Sequence, residues 1–246
     1  MCGIAGIVNL RDGLMPPDID DLRQMVGTLR HRGPDEFGVY RDARAGLGHA
    51  RLSIIDLLTG QQPLANETNT LWISFNGEIF NYLELREELE GCGHRFRTRS
   101  DTEVIVHAYE QWGASAFRRF NGQWAVALWD GERKTLVLAR DPFGVRPLYI
   151  CEHGGRMYFA SEVKAIFAAD ASIPREFDPG ECRSGRVGRV GPSPYPPDPP
   201  QLQPCPYACP HKRQKPSGDE HTEPCMRTPR SSIRRASPPT PRARRI

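Results

Sequence analysis

The sequence predicts an α/β domain of layered sheets with outer helices, followed by a disordered tail. Three observations predict it. Apolar residues at helical spacing, Ile19, Leu22, Met25, Val26 and Leu29, stand behind the N-cap candidate Asp18. Short apolar or alternating runs then follow one another between residues 122 and 160, broken at Gly131 and Gly154-Gly155. Helices first and consecutive strands later pack as sheets covered by helices. Third, composition breaks near residue 178. Residues 179–246 hold 16 of the 23 prolines, two aromatics (Tyr195 and Tyr207), and 13 Lys+Arg against 5 Asp+Glu. That stretch carries a net +8 in a chain of +3, so residues 1–178 carry −5. The basic character belongs to the tail, and reading the whole chain as a nucleic-acid binder would mistake the average for the domain.

The first element is the run Met1-Cys2-Gly3-Ile4-Ala5-Gly6-Ile7-Val8, whose apolar residues read as a short buried strand. Cysteine is small enough for methionine aminopeptidase to remove Met1. Cys2 would then carry a thiol and an α-amine that titrate near ~8.5 and ~8, so one can serve as base for the other. The plainer alternative is a small second residue of no special role. Residues 18–30 form the first helix, stopped at His31-Arg32-Gly33-Pro34-Asp35 because Pro34 disfavours helix at Gly33. Residues 47–55 read as a strand with Arg51 at its end. A guanidinium there matches a carboxylate in two-point geometry, or is a surface arginine at a sheet edge. His49 reads as structural.

Residues 71–75 read as a strand ending in Asn76-Gly77-Glu78. An asparagine amide beside a glycine N–H can supply two donors to a developing oxyanion, with glycine permitting a sharp turn. Asn-Gly is also the commonest hairpin signal, but Asn81 with Glu84, Leu85 and Leu89 behind it reads as a capped helix rather than a returning strand. Ser100 and Glu103 read as a capping box for the helix carrying Val104, Ile105, Ala108, Tyr109 and Trp112. Asp101 in its first turn either complements the helix dipole or is a rigidly held carboxylate able to recognise an ammonium. Residues 135–140, 148–151 and 157–160 read as strands beside 122–130, and residues 162–167 as a closing helix.

Cys2-Gly3-Ile4-Ala5-Gly6, His31-Arg32-Gly33-Pro34-Asp35, Arg51-Leu52-Ser53-Ile54-Ile55-Asp56, Phe75-Asn76-Gly77-Glu78-Ile79-Phe80-Asn81 and Ser100-Asp101-Thr102-Glu103 occur in this order. Together they resemble the glutaminase domain of class II glutamine amidotransferases, and most closely the N-terminal domain of glutamine-hydrolysing asparagine synthetases. Asp141-Pro142-Phe143-Gly144-Val145-Arg146-Pro147-Leu148-Tyr149 resembles a further family motif. The resemblance covers residues 1–178. It implies the four-layer α/β/β/α sandwich of N-terminal-nucleophile hydrolases, and hydrolysis of L-glutamine to glutamate and ammonia through a Cys2 thioester. It implies that Asn76 and Gly77 form the oxyanion hole and that Arg51 holds the substrate α-carboxylate. Leu52, Ser53, Ile54 and Ile55 would line the same pocket, with Glu78 beside them and Asp101 on the α-amino group. No metal or other cofactor is expected for this step, and a homodimer is implied.

Asparagine synthetases continue into an ATP- and Mg-dependent domain with a Ser-Gly-Gly-x-Asp-Ser loop, which these 246 residues do not contain. The expectation is that a frameshift replaced it with the Pro/Arg-rich residues 179–246, disordered because such a composition cannot bury a core. A rival reading takes Cys205, Cys209, His211 and Cys225 as zinc ligands or the tail arginines as phosphate contacts. The alternative for the whole chain is a catalytically silent fragment whose basic tail binds polyanions or a partner. No apolar run reaches the length of a membrane span, and no specific nucleic acid is expected. Residues 1–178 hold only Cys2, Cys92 and Cys151, without paired spacing, which fits a reducing cytoplasm.

If the α-amine of Cys2 is the base, the mature protein begins at Cys2. Intact mass should show the loss of one methionine, and an active protein retaining Met1 would rule that base out.

Overall fold

The computed structural model describes residues 1–53, 56 and 59–175, and the backbone of a strand at 188–190. These belong to one compact unit, Met1–Ala208; a second, Cys209–Ile246, lies outside the described residues. So do Ile54, Ile55, the rest of the tail expected to be disordered, and the Cys205, Cys209, His211 and Cys225 set. Gly188–Val190 pairs with Leu136–Leu138, so one short strand falls inside the stretch read as lacking any.

Two five-stranded sheets form the centre. The first has the order β2 (Glu36–Arg41), β3 (Ala45–Arg51), β1 (Gly3–Asn9), β9 (Arg156–Ala160), β8 (Tyr149–His153). The second runs β10 (Gly188–Val190), β7 (Thr135–Arg140), β6 (Gly122–Asp130), β5 (Leu71–Ile79), β4 (Leu64–Ala65). All their pairings are antiparallel.

Strand alternation sorts the side chains into three layers. Ile4 and Val8 of β1 meet Ala125, Ala127 and Trp129 of β6 and Leu136 and Leu138 of β7 between the sheets. The intervening Ala5 and Ile7 pack under α1 (Ile19–Thr28) and α4 (Val163–Ala169), with Leu22, Met25, Val26 and Ile166. Trp124, Val126 and Leu128 turn the other way, toward α2 (Tyr82–Gly91) and α3 (Asp101–Trp112), meeting Leu85, Leu89, Val104 and Ile105. The result is the expected α/β/β/α sandwich. Helix α1 lies close on its sheet because Gly48 has no side chain; a Cβ there would meet Val26 Cγ2 at 2.4 Å.

Polar bridges cross the inter-sheet layer. Trp129 Nε1 donates to Asp42 Oδ2 at 2.6 Å. Ser74 Oγ donates to the Gly48 carbonyl at 3.0 Å and stands 3.1 Å from His49 Nδ1. With its one proton committed, the hydroxyl accepts from His49, which fixes an Nδ1–H tautomer. Burial, helped by Arg51, pushes the His49 pKa down to about 3, so the ring stays neutral and structural, as its sequence context suggested.

Asp18 caps α1 as expected, accepting from Asp20 N at 2.7 Å. Asn81 stands at the N-cap position of α2 but makes no cap bond. Its amide instead accepts from Asn121 N at 2.9 Å and donates to the Arg119 carbonyl at 3.0 Å. The Ser100/Glu103 capping box is half formed. Ser100 accepts from Thr102 N, but Glu103 accepts from the backbone N–H groups of Arg97 and Thr98. Cys2 is a free thiol, whereas Cys92 is disulfide-bonded. No helix among the described residues is long and apolar enough to cross a membrane.

Trp129 is the largest fully buried side chain and fills the layer between the sheets. Trp129→Ala should cost about 3–5 kcal/mol, read as a lowered denaturant midpoint at unchanged m-value.

Candidate active site

Cys2 opens β1, and β1 is hydrogen-bonded along both edges, to β3 from Gly3 and to β9 from Ala5. That pairing holds in place a chain end that would otherwise fray. Two further groups fix Cys2 itself. Its carbonyl accepts from Arg32 Nε at 3.0 Å, while Arg32 Nη1 is bound to Glu162 Oε1 at 3.0 Å. Its sulfur receives the Leu52 N–H at 3.4 Å and donates to the Leu52 carbonyl at 3.6 Å. Burial pushes the Cys2 thiol pKa up, against smaller lowering by the Leu52 bond and by nearby positive charge.

One cleft brings together Cys2, Arg51, Leu52, Asn76, Gly77, Glu78 and Asp101. Ser53 is not among its lining residues; its N–H donates to Asp35 Oδ2 at 2.8 Å and so anchors the loop after β3. Ile54 and Ile55 lie outside the described residues. Arg51 is buried, donating from Nη1 to Glu36 Oε2 at 2.7 Å and from Nη2 to the Asp56 carbonyl at 2.6 Å. Those bonds lock the guanidinium in one orientation.

Asn76 and Gly77 lie within β5, not at a turn, paired opposite Ala125 and Trp124. Gly77 is therefore not required for a sharp bend. A Cβ there would meet the Gln123 carbonyl at 2.2 Å and Trp124 Cα at 2.6 Å, so close approach of β6 is what demands glycine. Alternation puts the N–H groups of residues 75, 77 and 79 on one edge of the strand. Phe75 N–H donates to Gln62 Oε1 at 2.7 Å and Ile79 N–H to Asp101 Oδ2 at 3.1 Å. The Gly77 N–H points the same way between them, along the cleft. The Asn76 side chain is 1% exposed, and its Nδ2 has no hydrogen-bond partner.

Asp101, 3% exposed, begins α3. Burial raises its pKa to about 6 against hydrogen bonds from Ile79, Thr102 and Ser100, with Glu78 adding to the rise. Gln62 spans β5 and α3, donating to Thr102 Oγ1 at 3.2 Å from the amide that receives Phe75.

Several contributors were not legible as such. Arg32 and Glu162 are 130 positions apart, so only the fold shows that they hold Cys2. Arg146 lines the cleft at the end of the loop that Asp141 organises by accepting from the N–H groups of Phe143 and Val145. Its guanidinium touches the Met1 sulfur, and Met1 also lines the cleft. The Asp141-Pro-Phe-Gly run was the available signal.

Two antiparallel sheets between helix layers, with a cysteine leading a central strand, define the N-terminal-nucleophile hydrolase class. A family model described as a glutamine amidotransferase domain matches residues 1–181, and the chain belongs to that family. Asparagine synthetase [glutamine-hydrolyzing] 1 of Bacillus subtilis (strain 168) is 44% identical over 174 residues, covering 70% of this chain and 28% of that one. A probable asparagine synthetase [glutamine-hydrolyzing] of Dictyostelium discoideum is 40% identical over 193 residues, covering 76% and 34%. The chain thus spans about a quarter to a third of the length of these curated relatives. Among solved structures, the glutamine phosphoribosylpyrophosphate amidotransferase of B. subtilis superposes with a TM-score of 0.59 at 24% identity, covering 78% of this chain and 50% of that one, a likeness of fold.

The raised pKa of Asp101 gives a pH test. A carboxylate that receives an ammonium must be ionised, and Asp101 gains its proton as pH falls through about 6. Apparent affinity for an amino-acid ligand should drop below that pH. Asp101→Asn should bind weakly at every pH with the inflection gone; an unchanged inflection would assign it to another group.

Proposed function

We propose that residues 1–178 hydrolyse L-glutamine to glutamate and ammonia through a thioester on Cys2, as the glutaminase part of an asparagine synthase. The observation that carries this reading is the buried Asn76 Nδ2, a hydrogen-bond donor without a partner in the cleft that Cys2 shares. A buried unmet donor costs about 1–3 kcal/mol, which a developing oxyanion would recover during the reaction.

With Met1 in place the Cys2 nitrogen is an amide without basicity, and burial leaves the thiol protonated. Removal of Met1 converts that nitrogen to an amine and takes away one residue of the cleft's lining. The amine takes the thiol proton and the sulfur attacks the side-chain amide carbon. The oxyanion forms against Asn76 Nδ2 and the Gly77 N–H. The amine passes its proton to the departing nitrogen, which leaves as ammonia. Water then attacks the thioester, releasing glutamate and restoring the thiol. Arg51 would take the α-carboxylate and Asp101 the α-amino group, with Glu78 adding negative charge on that side. Arg32 and Glu162 position Cys2 through its carbonyl.

This step draws on no cofactor. ATP and Mg would serve activation of aspartate, and the pyrophosphate loop for that does not occur in these 246 residues. A cytoplasmic setting suits a catalytic thiol, although the Cys92 disulfide counts the other way. The homodimer rests on the resemblance alone. Family membership and the intact Cys2, Asn76 and Gly77 favour an enzyme over a silent fragment.

Purified chain given glutamine, aspartate and Mg-ATP should yield glutamate and free ammonia, without asparagine or AMP. Cys2→Ala should abolish the reaction. Arg51→Ala should mainly raise KM, whereas Asn76→Ala should lower kcat by roughly 10²–10³. An Asn76→Ala effect confined to KM would sink the oxyanion assignment, and asparagine formed by the purified chain would sink the restriction to glutamine hydrolysis.

A further inference from the structure

Away from the cleft, the far part of α3 carries side chains that the hydrolytic reading does not use. His94, in the loop after α2, faces His107 and Glu110 of α3. Its Nδ1 stands 3.6 Å from Glu110 Oε2, and His107 Nδ1 stands 2.8 Å from the same oxygen. One donor atom from each of the three lies within 4.8 Å of the others. We propose that His94, His107 and Glu110 bind a divalent transition-metal ion of the zinc class, through the two Nδ1 atoms and the Glu110 carboxylate.

Two imidazoles and one carboxylate suit zinc and its neighbours better than magnesium or calcium. Donors on a tetrahedral zinc with bonds of ~2.0–2.1 Å stand roughly 3.3 Å apart, and the two measured separations bracket that figure. Two of the three ligands have the atom pointing away from the ion held by a neighbour, as in metal sites whose ligands are oriented from behind. His94 Nε2 lies 3.1 Å from Gln111 Oε1. An amide oxygen only accepts, so Nε2 carries the proton and Nδ1 keeps its lone pair. Glu110 Oε1 receives Asn66 Nδ2 at 2.9 Å, which leaves Oε2 to the ion.

His107 is 1% exposed, and its Nε2 has no hydrogen-bond partner. It stands 3.5 Å from Glu67 Oε1 and 3.8 Å from Glu103 Oε1. A small ring rotation on metal binding would turn this N–H onto either carboxylate, giving a carboxylate–histidine–metal chain. The ion replaces the proton shared by His107 Nδ1 and Glu110 Oε2, which is released to solvent. The His94 and Glu110 side chains are 12% and 22% exposed, so the site is reachable from solvent. Binding would clip the loop after α2 to α3, the helix whose first residue is Asp101.

The test is competition for zinc between a chelating dye and the full chain. Because thiols elsewhere also bind zinc, a variant with all seven cysteines replaced by serine, Cys92 and Cys151 included, is the background. It should retain one equivalent of zinc. Adding His94→Gln or Glu110→Gln should weaken binding at least about tenfold and remove the rise in Tm that zinc gives the background chain. Cobalt in the background chain should show d–d bands without thiolate charge transfer. Loss of the equivalent in the serine background, thiolate charge transfer there, or equal affinity after His94→Gln would each overturn the proposal.

Discussion

Strand β1 is bonded along both edges, to β3 over Gly3–Val8 and to β9 over Ala5–Asn9. The candidate site depends on that double pairing. An edge strand at a chain end would let Cys2 move by ångströms, and covalent catalysis tolerates little such misplacement. Arg32 extends the constraint by one residue, gripping the Cys2 carbonyl from the segment after α1, while Glu162 at the start of α4 holds Arg32 in turn. Three separated parts of the chain thus converge on one backbone group. The early His-Arg-Gly-Pro-Asp run is explained by this convergence. Arg32 serves Cys2, Asp35 serves Ser53, and Gly33 lets both pass against β3, where a Cβ would meet the Ala50 carbonyl at 2.2 Å.

The second sheet brings the donors. Strand β4 pairs only with Ile73 and Trp72, so among the described residues the edge of β5 away from β6 has no strand alongside from Phe75 onward. A free strand edge is usually a liability. Here side chains cover it, Gln62 taking the Phe75 N–H and Asp101 taking that of Ile79. The stretch between them is where Asn76 and Gly77 face the cleft. A longer β4 would have paired this edge and closed the opening to a ligand.

The sheet and helix order was legible where burial is one-sided and long, as in α1, β6, β7 and β9. It was not legible in β2, whose residues are half-exposed and only weakly alternating, nor in the two-residue β4. The candidate site was legible as residue types because its motifs are short and contiguous. The physical reasons were less so. In the sequence Gly77 reads as a turn residue, and the close approach of Trp124 is visible only once β5 and β6 are paired. Asn81 and Glu103 sit in cap-like patterns yet bond to other segments, because local propensity gives way when a tertiary partner is within reach. Glu162 offered no local signal, since its role exists only through Arg32.

The cleft concentrates groups whose surroundings suit them poorly when it is empty. Asn76 buries a donor with nothing to receive it, and burial raises the Asp101 pKa to about 6, so its charged form is held at a cost. Both deficits fall where the proposed substrate would supply the missing partner, an oxyanion for the amide and an ammonium for the carboxylate. Arg51 differs, since Glu36 and the Asp56 carbonyl already satisfy part of its guanidinium and its contribution is rigid orientation. Linkage follows directly: a ligand that relieves an unfavourable native environment binds the folded state alone and raises its stability by mass action. In the proposed reaction the ammonium end would do so on binding, whereas the Asn76 deficit would be relieved most fully when the carbonyl becomes an oxyanion. That difference separates affinity from turnover within one cleft, because only interactions that strengthen in the transition state raise kcat.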